Sequence, residues 1–358
     1  MAAGTNLGNE MRSGDSVKKN NVCNSNSVGK LASTCLYFLL AILLVGCGGD
    51  LGNRPVLIKF THVTSPATPK GQAADLFKKL VEERLSGKVE VEIYPSGQLM
   101  TDDDSIEALA FGEVQMIAVS LSKFDRLTEK FQVFDLPFLF PDLQAVENFQ
   151  STTEGRALLD EMTDKGIQGK AFWHNGMKQF GGPRPMRSPE DAKDLKFRIM
   201  ESDVLQAQIL QIGGNPQKMA FAEVYQALQT GAVDAQENTW SNIYSSKFFE
   251  VQPYITATNH GYLGYLVAVN AYFWERLPED VRNELDLIIE EVTVWGNKEA
   301  EKINQVAKIK IGESRSSELV HLEEFELEEW RQKMQPVWTQ FEEAIGPDLI
   351  AIARAASQ

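Results

Sequence analysis

From Val56 onward the apolar residues switch back and forth between a period of two and a period of about 3.6, and nothing else narrows the fold as far. Val56-Leu-Ile-Lys-Phe60 reads as a strand. Gln72 to Leu85 reads as a helix, with Ala74, Leu76, Phe77, Leu80 and Val81 at helical spacing. Val89-Glu-Val-Glu-Ile93 alternates as a strand, and Pro95-Ser-Gly97 is a turn. Ile106 to Phe111 is a helix stopped by Gly112, and Val114 to Val119 is a short buried strand. Strands that alternate with helices predict α/β units with a largely parallel sheet. At 358 residues the chain has room for two average domains.

The pattern continues to the C-terminus. A helix from Glu154 to Gly166 leads into the strand Gly169 to Trp173, and Leu195 to Met200 is a further strand. Helices follow from Ser202 to Ile212 and from Ala222 to Thr230. A long helix runs from Pro278 to about Ile311, with Leu285, Ile288, Ile289 and Val292 on one face, and two more end the chain. The proline-bracketed segment Asp135 to Pro141 reads as a structural loop. Ile106-Glu-Ala-Leu-Ala-Phe-Gly112-Glu-Val114 and Tyr225-Gln-Ala-Leu-Gln-Thr-Gly231-Ala-Val233 share an Ala-Leu-x-x-Gly-x-Val pattern, a glycine-capped helix entering an apolar segment. Ser120 lies eight residues after the first glycine and Asn238 seven after the second. Two lobes built alike would set both segments beside one cleft, but helix–Gly–strand units are common in any α/β chain, so the pattern alone leaves both readings open.

The cysteines are Cys23, Cys35 and Cys47, so nothing beyond residue 47 can form a disulfide scaffold, a thiolate metal site or a cysteine nucleophile. Lys18, Lys19 and Lys30 precede the apolar run Leu36 to Val45, which is too short to span a bilayer and has the flanks of an export signal. The run ends in Leu44-Val45-Gly46-Cys47, the order of a bacterial lipobox. Residues 1–46 are thus expected to be a lipoprotein signal peptide, Cys47 the lipidated residue anchoring the chain to a membrane in the periplasm, and residues 47–54 a tether. The formal charge of −15 argues against nucleic acid and anionic membrane surfaces as partners. An anionic ligand would need a local basic site.

The chemistry visible in the rest of the chain is sparse. The four histidines, His62, His174, His260 and His321, show no HExxH spacing, and no metal site is expected. There is no Gly-x-Ser-x-Gly elbow, no P-loop and no dinucleotide fingerprint, so no cofactor is expected either. The run Asp102-Asp-Asp104 reads as a solvated helix N-cap. Arg198 is more informative. Alternation puts Leu195, Phe197 and Ile199 on one face of their strand and Lys196, Arg198 and Met200 on the other. A guanidinium near the C-terminal end of a strand stands where open α/β sheets bind ligands, and can grip a carboxylate with two parallel hydrogen bonds. On pattern alone, an exposed strand arginine is the commoner reading.

Leu195-Lys-Phe-Arg198, then Met219-Ala-Phe-Ala-Glu-Val-Tyr-Gln-Ala-Leu-Gln-Thr-Gly-Ala-Val-Asp234, then Gln236-Glu-Asn238 closely resemble the signature of TRAP-transporter solute-binding proteins, the DctP family. The likeness extends to His62 through Lys70-Gly71, Tyr94-Pro-Ser-Gly-Gln-Leu99, Asp135-Leu-Pro-Phe138 and Asn259-His-Gly-Tyr262, covering the chain from about residue 55 onward.

The resemblance implies a type II periplasmic-binding fold: two α/β lobes joined by strand crossovers, a helix spanning both, and a ligand cleft between them. Residues 55–175 plus 264–303 would form the first lobe and 176–263 plus 304–358 the second. Carried over by position, Arg198 pairs with a ligand carboxylate, Asn238 hydrogen-bonds the same group, and Phe221 walls the pocket. Lys178 stands where many members have a second arginine, and a lysine is a point charge without the arginine fork. Ser120 and Lys70 match cleft positions of the first lobe. Trp240 and Tyr262 are further candidates, each with core packing as its alternative. Asn238-Thr-Trp-Ser-Asn242 is similar to the branch that binds C4-dicarboxylates such as malate, succinate or fumarate. The implied partner is a TRAP membrane permease. An exported enzyme acting on a carboxylic acid, or a sensory binding module, are the alternatives on the same fold.

Overall fold

In the computed structural model, which describes residues 55–358, the strands fall into two sheets. The expected signal peptide, tether and Cys47 lie outside the described residues. The first sheet has the order β2-β1-β3-β10-β4, with β1 Val56–Thr61, β2 Val89–Tyr94, β3 Met116–Ser120, β4 Ile167–Met177 and β10 Tyr262–Asn270. The second has the order β11-β9-β5-β8-β6-β7, with β5 Gln179–Gly182, β6 Lys196–Ile199, β7 Asn215–Lys218, β8 Ala235–Asn238, β9 Tyr254–Ala257 and β11 Glu318–His321. The helices used below are α1 Pro69–Arg84, α2 Asp102–Phe111, α3 Leu143–Gln150, α4 Asp203–Gln211, α5 Val224–Thr230, α6 Trp240–Ser245, α7 Glu279–Ser314, α8 Glu324–Ile345 and α9 Pro347–Ala356.

Both sheets are mixed rather than largely parallel. β1 pairs in parallel with β2 and β3, and β6 with β7 and β8. The strands that pass between lobes reverse direction: β10 is antiparallel to β3 and β4, and β5 is antiparallel to β8 and β9. A strand that leaves one sheet to enter the next cannot be part of a βαβ repeat, so the crossovers carry the exceptions.

Each sheet is covered on both faces. Along β3, Met116 and Ala118 enter one core with Phe77 of α1 and Ile288 of α7, while Ile117 and Val119 enter another with Leu109 of α2 and Phe149 of α3. In the second sheet Phe197 and Ile199 pack with Leu205 of α4 and Trp330 of α8, and a separate cluster joins Leu228 of α5 and Ile243 of α6. Both repeated helices end as their shared pattern predicts: Gly112 after α2 and Gly231 after α5 sit in the left-handed region, at φ 79° and 71°.

Four connections tie the lobes, the fourth being α8. β4 passes into β5 through Lys178, β9 passes into β10 through residues 258–261, and α7 runs 36 residues with Ile288 and Val292 in a first-lobe core and Ala307 and Ile311 in a second-lobe core. The C-terminal segment is shared rather than belonging wholly to the second lobe. Trp330 and Met334 of α8 pack in the second-lobe core, whereas Val337, Phe341 and Ile345, with Ile350 and Ala353 of α9, pack against Leu109 and Phe149 of the first. Pro336 lies inside α8 between these two sets. Among the described residues no helix is long and apolar enough to cross a membrane.

Candidate functional site

A cavity of about 70 Å³ lies between the sheets, space for several water-sized groups. Ser120 at the end of β3, with Thr64, Asp102, Lys123 and Tyr265, lines it from the first lobe; Arg198, Phe221 and Asn238 line it from the second. The ends of β3, β6 and β8 point toward one gap, the placement expected for ligands of open α/β sheets.

The pleat of β6 sends Phe197 and Ile199 into the core and Arg198 to the cavity. The side chain is buried, at 3% exposure. Its Nε and Nη2 donate to the carbonyl of Met219, at 3.1 and 2.8 Å. That fixes one edge of the fork and leaves Nη1, which has no hydrogen-bond partner among the described residues, to face a ligand. The Phe221 ring lies 6.0 Å from the guanidinium carbon. Burial draws the guanidinium down to about 10, against the fields of Glu237, Asp102 and Glu223, so it stays charged at neutral pH.

Asn238, at the end of β8, accepts hydrogen bonds at Oδ1 from the Thr239 amide and from Asn242 Nδ2, at 3.1 and 2.9 Å. With Oδ1 engaged, its Nδ2 is the group available to a ligand oxygen. Ser120 Oγ lies 3.5 Å from Ser122 Oγ, which donates to Asp135 Oδ1 at 2.6 Å. The other oxygen of Asp135 accepts from Ser202, the N-cap of α4, at 2.8 Å. A first-lobe carboxylate thus bridges to the helix that follows the Arg198 strand. Nearby, Arg126 pairs with Glu201, and Asp125 accepts from the Asp203 amide at 3.2 Å.

Lys178 lines the cavity, but its ammonium is paired: Nζ lies 2.8 Å from Glu237 Oε1. Glu237 Oε2 accepts from His260 Nε2 at 2.8 Å and from Gln208 at 3.3 Å. Burial alone would raise the Glu237 carboxyl, but Lys178 and the His260 N–H together hold it down to about 2. Burial likewise lowers His260, so its contact with Glu237 is a hydrogen bond from a neutral ring. Gly261 makes room for this pair; a Cβ there would lie 2.7 Å from Lys178 Cε.

Three expected residues do not line the cavity. Lys70 is fully buried behind it, with Nζ donating to the Ala118 carbonyl at 2.9 Å and seated 3.7 Å from the centre of the Tyr265 ring, so that Tyr265 screens it from a ligand. Burial brings its ammonium down to about 8. Trp240 packs in the second-lobe core with Ile243 and Ala307. Tyr262 turns into the first-lobe core, where its hydroxyl meets His174 Nδ1 at 2.7 Å.

Other cavity residues were not foreseen. Lys123 donates to Asp103 Oδ2 at 2.7 Å. Asp102 and Asp103 open α2, as the N-cap reading has it, but the cap is Thr101, and both aspartates line the cavity. The Oδ1 of Asp102 is buried with no hydrogen-bond partner. A run of three acidic residues after a turn gave no sign of this, because the fold alone decides which face of the first helical turn meets the other lobe. Among the described residues no cluster of side chains could hold a metal ion.

The sequence model for the bacterial extracellular solute-binding proteins of family 7, DctP, matches residues 60–344. The C4-dicarboxylate-binding periplasmic protein DctP of Vibrio cholerae is 47% identical over 321 residues, 89% of this chain and 96% of that protein. The protein of the same description from Shewanella loihica is 48% identical over 333 residues, 91% and 99% of the two chains. A crystal structure of a TRAP periplasmic solute-binding protein from Shewanella oneidensis with bound succinate superposes with a TM-score of 0.84 at 49% identity, covering 85% of this chain and all of that one. Another from Pseudomonas aeruginosa with bound L-malate has a TM-score of 0.79 at 50% identity over 80% of this chain and all of that one.

Proposed function

This chain belongs to the bacterial extracellular solute-binding proteins of family 7, and from that membership we propose that it captures a C4-dicarboxylate, with Arg198 as the anchor. It is a TRAP-transporter solute-binding protein, a binding subunit rather than an enzyme. The observation that carries the ligand reading is one of charge. Lys178 is paired with Glu237 and Lys123 with Asp103, whereas Arg198 is the lining cation that no carboxylate neutralises by a salt bridge among the described residues. A buried guanidinium held by a backbone carbonyl on one edge is preorganised for an anion on the other. The relatives described as C4-dicarboxylate-binding, and the succinate and malate in the two solved structures, support the same class.

Asn238 Nδ2 and Ser120 Oγ would complete the coordination from opposite lobes, and Phe221 would cover the first carboxylate. Capture would then be a shift of a two-state equilibrium toward the closed arrangement, driven by contacts that exist only when both lobes meet the ligand. The closed form would deliver its acid to the permease. Lipidation at Cys47 would hold the chain at the periplasmic face of a membrane, keeping it near that permease. The support for this anchor is the basic–apolar–small–Cys order of the leader.

A thermal-shift panel of succinate, L-malate, fumarate, monocarboxylates and sugar acids tests the ligand class. A dicarboxylate at about a hundred times its Kd should add roughly 2.7 kcal/mol of stability. No response to any dicarboxylate, with a response to another class, would overturn the reading.

A further inference from the structure

We propose that Asp102 takes up a proton from solvent when the ligand binds and donates it in a hydrogen bond to the ligand's second carboxylate, so that capture of a dianion is coupled to uptake of one proton. The inference rests on the dicarboxylate reading of the cavity and assigns the first-lobe end of it. Asp102 stands in the wall facing Arg198, and its Oδ1 is buried without a donor.

The charged groups around it are engaged elsewhere. Lys70, from α1, is held on the Ala118 carbonyl and the Tyr265 ring. Lys123, from the turn after β3, is bonded to Asp103. Arg198, from β6, has one edge on Met219 and the other toward the proposed ligand site. Asp103, the next residue on α2, offers Asp102 no donor, its own Oδ2 accepting from Lys123. The Tyr265 hydroxyl, raised by burial, is neutral. An ionised Asp102 therefore has no donor to replace the water it loses when the lobes close, and burial already raises its carboxyl, against the pull of Lys70, Lys123 and Arg198.

A second carboxylate entering this gap adds a like charge. Two carboxylates brought together in a closed site share a proton rather than both ionise. The N-terminal turn of α2 favours an anion at Asp102 in the free protein, and the ligand's second carboxylate opposes it. The proton comes from the buffer, resides on the Asp102 carboxyl in the complex and returns to solvent on release. The bound unit of ligand and Asp102 then carries one negative charge fewer than the two would separately.

The test is calorimetry of succinate binding to the whole protein in two buffers of different ionisation heat, over about pH 6 to 8. The dependence of observed heat on buffer heat should report close to one proton taken up, and affinity should weaken by up to tenfold per pH unit as pH rises. Asp102→Asn keeps a donor of the same shape. It should bind succinate with no proton uptake and a flat pH profile. Binding by the wild type without uptake, or an unchanged pH profile in Asp102→Asn, overturns the inference while leaving the dicarboxylate reading intact. No binding of any dicarboxylate overturns both.

Discussion

The ammonium of Lys178, in the crossover between the sheets, lies 2.8 Å from Oε1 of Glu237 in β8, and both side chains are all but inaccessible, at 1% and 2%. The cation expected to serve a ligand as a point charge is first of all the counter-charge of a buried carboxylate. Removing one partner of such a pair strands the other, at a cost of about 3–5 kcal/mol. Lys178→Met is therefore expected to lower unfolding free energy by about that amount in urea titration, and the double change with Glu237→Leu to recover most of it. Additive losses in the double variant would contradict the pairing.

Arg198 should behave differently. Its substitution removes an anchor rather than a partner of a protein carboxylate. Arg198→Ala is expected to weaken dicarboxylate binding by about 2–5 kcal/mol, with a smaller loss of stability, about 1 kcal/mol, from the lost hydrogen bonds to Met219 O. Arg198→Lys should recover only a small part, since an ammonium cannot hold Met219 O with one edge and a carboxylate with the other. Calorimetry with succinate reads both; unchanged affinity in either variant would remove the anchor role.

Burial lifts the Asp135 carboxyl to about 6, against the pull of Lys178 and of the hydroxyls of Ser122 and Ser202. A carboxyl that holds its proton more tightly in the folded state contributes stability that is fully present below its unfolded value of about 3.9 and lost as pH rises through its folded one. Wild type should therefore gain roughly 2–3 kcal/mol on Asp135→Asn between about pH 7 and pH 4. Paired urea titrations across that range would show it, and two parallel curves would count against it.

Asn304, in the C-terminal half of α7, donates to the Asn175 carbonyl at 2.5 Å and accepts from the Ser241 amide at 2.9 Å. It joins the long helix to the crossover strand and to α6 in one side chain. Asn304→Ala leaves both backbone groups buried without partners, and a loss of about 2–4 kcal/mol is expected. A melting temperature within error of wild type would show that water or a local shift replaces the amide.

The paired glycine-capped helices and the face of β6 that carries Arg198 were legible, because both rest on local rules: a left-handed cap and a two-residue pleat. Strand β10 was not read from the pattern. Tyr262 to Asn270 is buried on both sides, so its apolar run lacks the alternation that marks a strand. The same strand explains why Tyr262 misses the cavity while Tyr265, not singled out from the sequence, reaches it. Tyr262 and Tyr265 are three residues apart and point to opposite faces, and only the sheet's neighbours decide that the second meets the cavity. The Lys178–Glu237 pair spans 59 residues, and no spacing rule links two charges that meet through a strand crossover. The helix expected over residues 154–166 breaks into the five-residue turn of helix Thr153–Ala157 and short 3-10 turns, since only Leu158 and Met162 there are apolar anchors in the core.

Pro336 marks the point at which α8 changes allegiance from one core to the other. Lacking an amide hydrogen, it leaves the Gln332 carbonyl without its helical partner, so the rod is most compliant at that point. The two blocks can then tilt by flexing α8 there while Trp330 and Phe341 each stay seated among their own neighbours. The amplitude of that tilt, and with it the width of the doorway through which an acid enters, is expected to be metered by a proline far from the cavity in sequence.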